Sequence, residues 1–284
     1  MKKIINYLRT SIVPFLAAIT IMTLVAYLFQ IIYQLMISLY IGITQGVEGL
    51  ADGGNLPGEI EELMSQNILY IISVASILIC GIVFYFWYRH ETRGRQKVEL
   101  KSVFNKRNII LFLIIGIGCQ LFFSGVMNLI QPIFPEQFKS YGETMESILG
   151  SDLLLVLLYT IIIAPISEEL IFRGVILHRT RKVLPFLGAN LLQALFFGVY
   201  HRNIIQGIYA TIMGFLLGLI YQKYNTIYST ILLHMIINAS VFVVILFPIT
   251  TISYVVMVVL GVVGTTVSFV LLKLGHRESS MKEL

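Results

Sequence analysis

The sequence predicts an all-α, polytopic transmembrane helix bundle of about eight spans, with N- and C-termini in the cytoplasm. Three observations carry that prediction. The first is composition: of 284 residues, 57% are hydrophobic and 12% charged, against about 25% charged in a soluble domain. A soluble chain of this size would still need charge on its wet surface, and a bilayer removes that need. The second is a series of apolar runs close to the ~20 residues a spanning helix requires. The third is that charge sorts by loop, which points to membrane orientation rather than nucleic-acid binding in spite of a net charge of +5.

Taken in order, the runs lie near 11–41, 67–88, 108–131, 153–177, 185–201, 205–222, 227–247 and 250–273. The first follows Lys2, Lys3 and Arg9 and is too long for a signal-peptide core of 7–15 residues, so it reads as an uncleaved first span. The loop 43–66 holds Glu48, Asp52, Glu59, Glu61 and Glu62 and no Lys or Arg. Its stretch Asp52-Gly53-Gly54-Asn55, followed by Pro57, reads as an external turn. The loop 89–107 is basic, with Arg89, Arg93, Arg95, Lys97, Lys101, Lys106 and Arg107. The loop 132–152 is acidic again, with Glu136, Glu143, Glu146 and Asp152 against Lys139. Arg179, Arg181 and Lys182 follow the fourth run, Lys223 the sixth, and Lys273 and Arg277 the eighth. Because Lys and Arg collect in the cytoplasm, eight spans satisfy every cluster. Cys80 and Cys119 both lie in apolar runs and read as packing residues, with no CxxC or structural zinc spacing.

Of fifteen acidic residues, all but two fall in loops or tails. The exceptions are adjacent, Glu168 and Glu169, in the run from Ala164 to Gly174. A charge at the centre of a membrane helix costs roughly 2.5–3.5 kcal/mol on insertion scales, and such residues are functional by default. Arg173 lies four residues after Glu169, a spacing that stacks the two on one helix face. Glu168 has no cation at that spacing and is the better proton-transfer candidate, with Glu169 as its support. A packing salt bridge among the three is the plainer alternative. His201 closes the fifth run, and His234 stands one helical turn before Asn238 in the seventh. Each alone reads as a packing residue or as helix–helix glue. Together these four polar groups are best accommodated facing one another in a wet cavity, where a general base, two imidazoles and an amide can activate water and stabilise an oxyanion.

In that order, Glu168-Glu169-x-x-x-Arg173, Phe197-x-x-x-His201 and His234-x-x-x-Asn238 resemble the three motifs of the CAAX-protease and bacteriocin-processing family of intramembrane metalloproteases. The resemblance covers 153–248, which divides the chain into N-terminal helices over 1–152, a catalytic core over 153–248, and a last helix with a cytoplasmic tail over 249–284. It implies that Glu168 is the catalytic glutamate, that His201 helps hold the attacking water, and that His234 and Asn238 face the developing oxyanion. Glu169 and Arg173 complete the first motif. The expected reaction is hydrolysis of a peptide bond in a membrane-embedded peptide or protein. The lipid bilayer is the other partner, and no nucleic acid is expected.

A metal is the open point of that expectation. HExxH is absent, yet His201, His234 and Glu168 could supply a His/His/Glu zinc site. The same residues could equally hold water with no metal, the version favoured here. Two rivals stand beside the protease: a proton- or ion-coupled transporter that uses the same residues as a relay, and a non-catalytic scaffold or immunity protein. No paired discontinuous helices favour the transporter. Isoleucine- and lysine-rich usage points to the cell membrane of a low-GC bacterium, where true CAAX processing is not expected. One feature of the spacing needs explaining. Counted from Lys182 at 1.5 Å per residue, His201 lies about 25 Å across the membrane, deeper than Glu168 or His234. The fifth helix must therefore start outside the bilayer, tilt strongly or break within it.

Overall fold

The structure is a computed structural model, and it describes residues 6, 8–51, 58–95, 98–149, 152–246 and 253–282. Within them lie eight apolar helices: α1 (Val13–Ala51), α2 (Gly58–Glu91), α3 (Lys106–Ile130), α4 (Leu153–Thr180), α5 (Phe186–Tyr200), α6 (Ile204–Tyr224), α7 (Ile227–Leu246) and α8 (Tyr254–Lys282). No strand occurs among the described residues. Six of the helices are long and apolar enough to cross a membrane, while α5 and the described apolar part of α7 are shorter. The protein is thus a polytopic helical membrane protein, as its composition predicts.

Two of the expected loops are in large part helical. α1 runs to Ala51, with a break at Gly46 (φ 73°), and α2 begins at Gly58. The expected loop 132–152 contains a helix, Pro135–Leu149. Apolar runs mark only the lipid-facing part of a helix, and Glu, Lys and Gln propagate a helix as well as Leu does. The predicted turn over 52–55 lies outside the described residues.

The helix ends follow local chemistry. Asn105, Asp152 and Asn203 cap α3, α4 and α6 by accepting hydrogen bonds from the backbone N–H three residues on. α6 ends at Asn225, in the left-handed region at φ 51°, where asparagine is well tolerated. Where α2 and α4 end, Glu91 accepts from Lys182 at 2.6 Å and from Arg179, whose guanidinium also lies over the Trp87 ring. Close helix approach relies on small residues. At Gly214 on α6 an added Cβ would come within 3.0 Å of Phe197 and 3.2 Å of Ala194 on α5.

α4 is not a uniform helix. Wide π-turns over Leu158–Ile163 and Leu170–Leu177 flank an α-helical turn over Ala164–Glu169. Pro165 explains the first of them, since a proline inside an α-helix clashes with the carbonyl four residues back. Widening the preceding turn relieves that clash, and the Ala164 N–H bonds to the Tyr159 carbonyl, five residues back. In the same register the Thr160 carbonyl would meet the nitrogen of Pro165, which carries no hydrogen. Such local π-turns are frequent at functional sites.

Candidate active site

The segment between the two π-turns carries Glu168 and Glu169, both buried. The expected pair forms: Arg173 Nη1 donates to Glu169 Oε1 at 2.7 Å, with both side chains at 0% exposure. Burying two charges is strongly unfavourable unless their remaining hydrogen-bonding groups are occupied. Arg173 Nη2 donates to the Gly214 carbonyl at 2.9 Å, and its guanidinium lies 4.8 Å from the centre of the Phe197 ring, while Arg173 Nε and Glu169 Oε2 are buried without a hydrogen-bond partner.

Glu169 supports His234 as well as Arg173, which the sequence reading did not foresee in making it the support of Glu168. The same Oε1 accepts from His234 Nδ1 at 2.9 Å. A carboxylate paired to an arginine only accepts, so Nδ1 carries the ring proton. This turns His234 Nε2 toward Glu168, 3.7 Å from its Oε2. His201 follows the same pattern. Its Nδ1 donates to the Phe197 carbonyl at 2.8 Å, leaving Nε2 free to meet water or substrate. Phe197 separates the two imidazoles, its ring centre 4.8 Å from that of His201 and 5.8 Å from that of His234. Glu168 is in electrostatic contact with both.

Asn238 sits one turn beyond His234. Its Nδ2 donates at 2.8 Å to the Thr160 carbonyl, the acceptor that Pro165 leaves without a backbone partner. Polar side chains of neighbouring helices commonly satisfy backbone groups that a membrane proline frees. A primary amide has two N–H groups, so one remains for other use.

His201 stands at the turn between α5 and α6. α5 begins at Phe186 rather than Lys182 and ends at Tyr200. His201 caps its end, and with Arg202 (φ 58°) and Asn203 it reverses the chain into α6. Fifteen residues reach about 22 Å, and the chain reverses there into α6, whose 21 residues are long enough to cross a membrane. The structure thus gathers Glu168, Glu169, Arg173, His201, His234 and Asn238 around one junction of α4, α5 and α7.

Sequence reading missed several partners. Gln193 Nε2 donates to the same Gly214 carbonyl as Arg173, at 2.9 Å, and to Asn190 Oδ1 at 2.8 Å. The signal was present: positions 193, 197 and 201 form one i, i+4, i+8 stripe on α5. Tyr159, Tyr200 and Tyr209 bring phenols from three helices into electrostatic reach of Glu168. In an apolar run a tyrosine gives no such signal, because it packs equally well as a plain aromatic.

For a metal the observations divide. Both imidazoles donate Nδ1–H to an oxygen acceptor and leave Nε2 free, as metal-binding histidines do. Yet among the described residues no three His, Cys, Asp or Glu side chains are gathered closely enough to hold an ion. The donor set would be His201, His234 and Glu168.

Comparison with known proteins points to membrane peptidases. Residues 150–240 match the family model described as type II CAAX prenyl endopeptidase Rce1-like. The chain is 26% identical over 199 residues to the Bacillus subtilis (strain 168) protein named "Putative membrane peptidase YdiL", covering 69% of this chain and 79% of that one. No solved structure matches. The matched region spans the buried Glu168–Glu169–Arg173 segment, His201, His234 and Asn238, and over it this multi-pass membrane protein is similar to the CAAX-protease family.

Proposed function

We propose that the protein is an intramembrane endopeptidase that hydrolyses a peptide bond of a membrane-associated peptide or protein, with water activated by Glu168. The observation that carries this reading is the division of labour between the adjacent glutamates. Glu169 is engaged by Arg173 and His234 through one oxygen, whereas Glu168 has no hydrogen bond of 3.5 Å or less to either and faces His234 Nε2 at 3.7 Å. A base must have a free acceptor that water can reach: the Glu168 side chain is 10% exposed, whereas the unpartnered Oε2 of Glu169 is fully buried.

In this mechanism the attacking water lies between Glu168 and the free Nε2 of His201. Glu168 takes its proton as the oxygen adds to the substrate carbonyl carbon. The developing oxyanion is met by the second N–H of Asn238 and by His234. Since Nδ1–H of His234 is committed to Glu169, Nε2 can donate only when the ring is protonated, so His234 acts here as an imidazolium. Collapse of the intermediate breaks the C–N bond, and Glu168 returns its proton to the leaving amine.

Glu168→Gln should lower turnover by about 10²–10⁴-fold, the usual worth of a general base, with folding intact. Comparing the membrane peptidome with and without Glu168→Ala identifies the substrate. A fully active Glu168→Gln protein would sink the mechanism. A second reading has its own support in the free Nε2 atoms of both histidines: one divalent ion, zinc by donor type, held by His201, His234 and Glu168. Protein stripped of divalent ions should keep most of its activity. Loss on chelation, restored by one equivalent of zinc, would replace the metal-free version with this one.

A further inference from the structure

We infer that substrate enters from the outer face of the membrane, through the polar cleft between helix Pro135–Leu149 and the α5–α6 turn, and is therefore the extracytoplasmic, membrane-proximal segment of an anchored polypeptide. This rests on the protease reading above and on the sidedness given by the charged loops.

Burial around the site is one-sided. On the way to the cytoplasmic end of α4 every residue from Ser167 to Leu177 is buried. Leu217 and Tyr221 of α6 and Thr230 and Leu233 of α7 close the same side. In the opposite direction the groups that open are polar: His201, Asn203, Gln206 and Asn238 are half-buried and Arg202 is exposed.

The α5–α6 turn, with Arg202 at a left-handed φ of 58°, stands on that open side. Beside it lies a cleft of about 290 Å³, lined by Glu136, Gln137, Ser140, Arg202, Asn203 and Ile204. Helix Pro135–Leu149 is held over it by Tyr141, whose ring centre lies 6.5 Å from that of Tyr209 on α6.

The occupant follows from the lining. The cleft offers a carboxylate, a guanidinium, a hydroxyl and two primary amides, groups that suit a polar stretch of peptide. Across Arg202, Asn203 and Ile204 it adjoins an apolar groove of about 330 Å³ that includes Leu195, Val199 and Ile208. A chain leaving the bilayer would lay its apolar part in the groove and its first polar residues in the cleft, beside His201.

Two variants test this in sealed right-side-out and inverted vesicles, using a charged, membrane-impermeant thiol reagent. Cys80 and Cys119 are buried, and the unsubstituted protein sets the background. His201→Cys needs no proteolysis as a readout and should label at least tenfold faster from the outer face. Gln137→Cys should cleave an acyl-anchored, internally quenched mixed-sequence peptide, and outside labelling with a bulky reagent should reduce cleavage at least tenfold. Gln222→Cys, at the other end of α6, should be labelled only from the inner face, without loss of cleavage. Labelling of His201→Cys from the inner face alone overturns the inference, as does a labelled Gln137→Cys protein that still cleaves. If the unsubstituted protein shows no cleavage that Glu168→Gln abolishes, the protease reading fails, while His201→Cys still reports the entrance.

Discussion

Asn238 has two assignments, a cap for an orphaned backbone carbonyl and a donor to the oxyanion, and Pro165 provides the means to separate them. In the π-register of α4 the Thr160 carbonyl would pair with the N–H of residue 165, which proline lacks. Asn238 supplies the missing donor at 2.8 Å. Asn238→Leu keeps the branched shape and removes that donor. A buried acceptor left unsatisfied costs about 1–3 kcal/mol, and because this bond is only partly buried, about 1–2 kcal/mol is expected here. Pro165→Ala returns an N–H that can reach the Thr160 carbonyl. In the Pro165→Ala background Asn238→Leu should therefore cost about 1 kcal/mol less than in the wild type, a coupling that a double-mutant cycle can resolve. Unfolding of the four proteins in detergent measures it. Turnover should not follow stability: the double variant should stay impaired, by the roughly 10²–10³-fold that loss of one oxyanion donor costs. Stability effects that simply add would refute the register argument. Full recovery of turnover in the double variant would refute the oxyanion role of Asn238.

Three further outcomes are expected. Glu169→Gln weakens the holds on Arg173 and His234 at once, so by the cost of breaking a buried pair, about 3–5 kcal/mol, it should lose stability as well as turnover. Arg173→Gln should resemble it, and the double variant should be less damaged than the sum. Thermal unfolding and turnover per folded molecule decide this, and an undamaged Glu169→Gln protein contradicts the shared-carboxylate geometry. Gly198→Val should destabilise the α5–α6 hairpin by about 1–3 kcal/mol, since an added Cβ overlaps Thr211 and the Gly207 carbonyl; turnover should fall too, because His201 stands three residues on. For topology, an impermeant thiol reagent on whole cells should label Asn55→Cys and spare Arg95→Cys, and the reverse pattern inverts the bundle.

Solvent chemistry made much of this protein legible one residue at a time. Lipid rejects charge, so composition and apolar runs identify a helical membrane protein, and Glu168, Glu169 and Arg173 stand out in their run without any knowledge of contacts. Helical periodicity alone pairs Glu169 with Arg173 and puts His234 and Asn238 on one face. What periodicity does not carry is anything set by a second helix. It could not show that Glu169 also holds His234, or that Asn238 answers a defect made by Pro165 seventy-odd residues earlier in the chain. It puts Gln193 on one stripe with Phe197 and His201 without showing that its amide shares the Gly214 carbonyl with Arg173, and it left the polar helix Pro135–Leu149 looking like a loop. The sequence by itself determined the membrane, the number of apolar helices and the residues too polar for lipid, because each depends on the free energy of one segment in one solvent. Only the tertiary structure decided which ring nitrogen faces Glu168 and which residues of α4, α5 and α7 meet, because those depend on hydrogen bonds and packing between segments far apart in the chain.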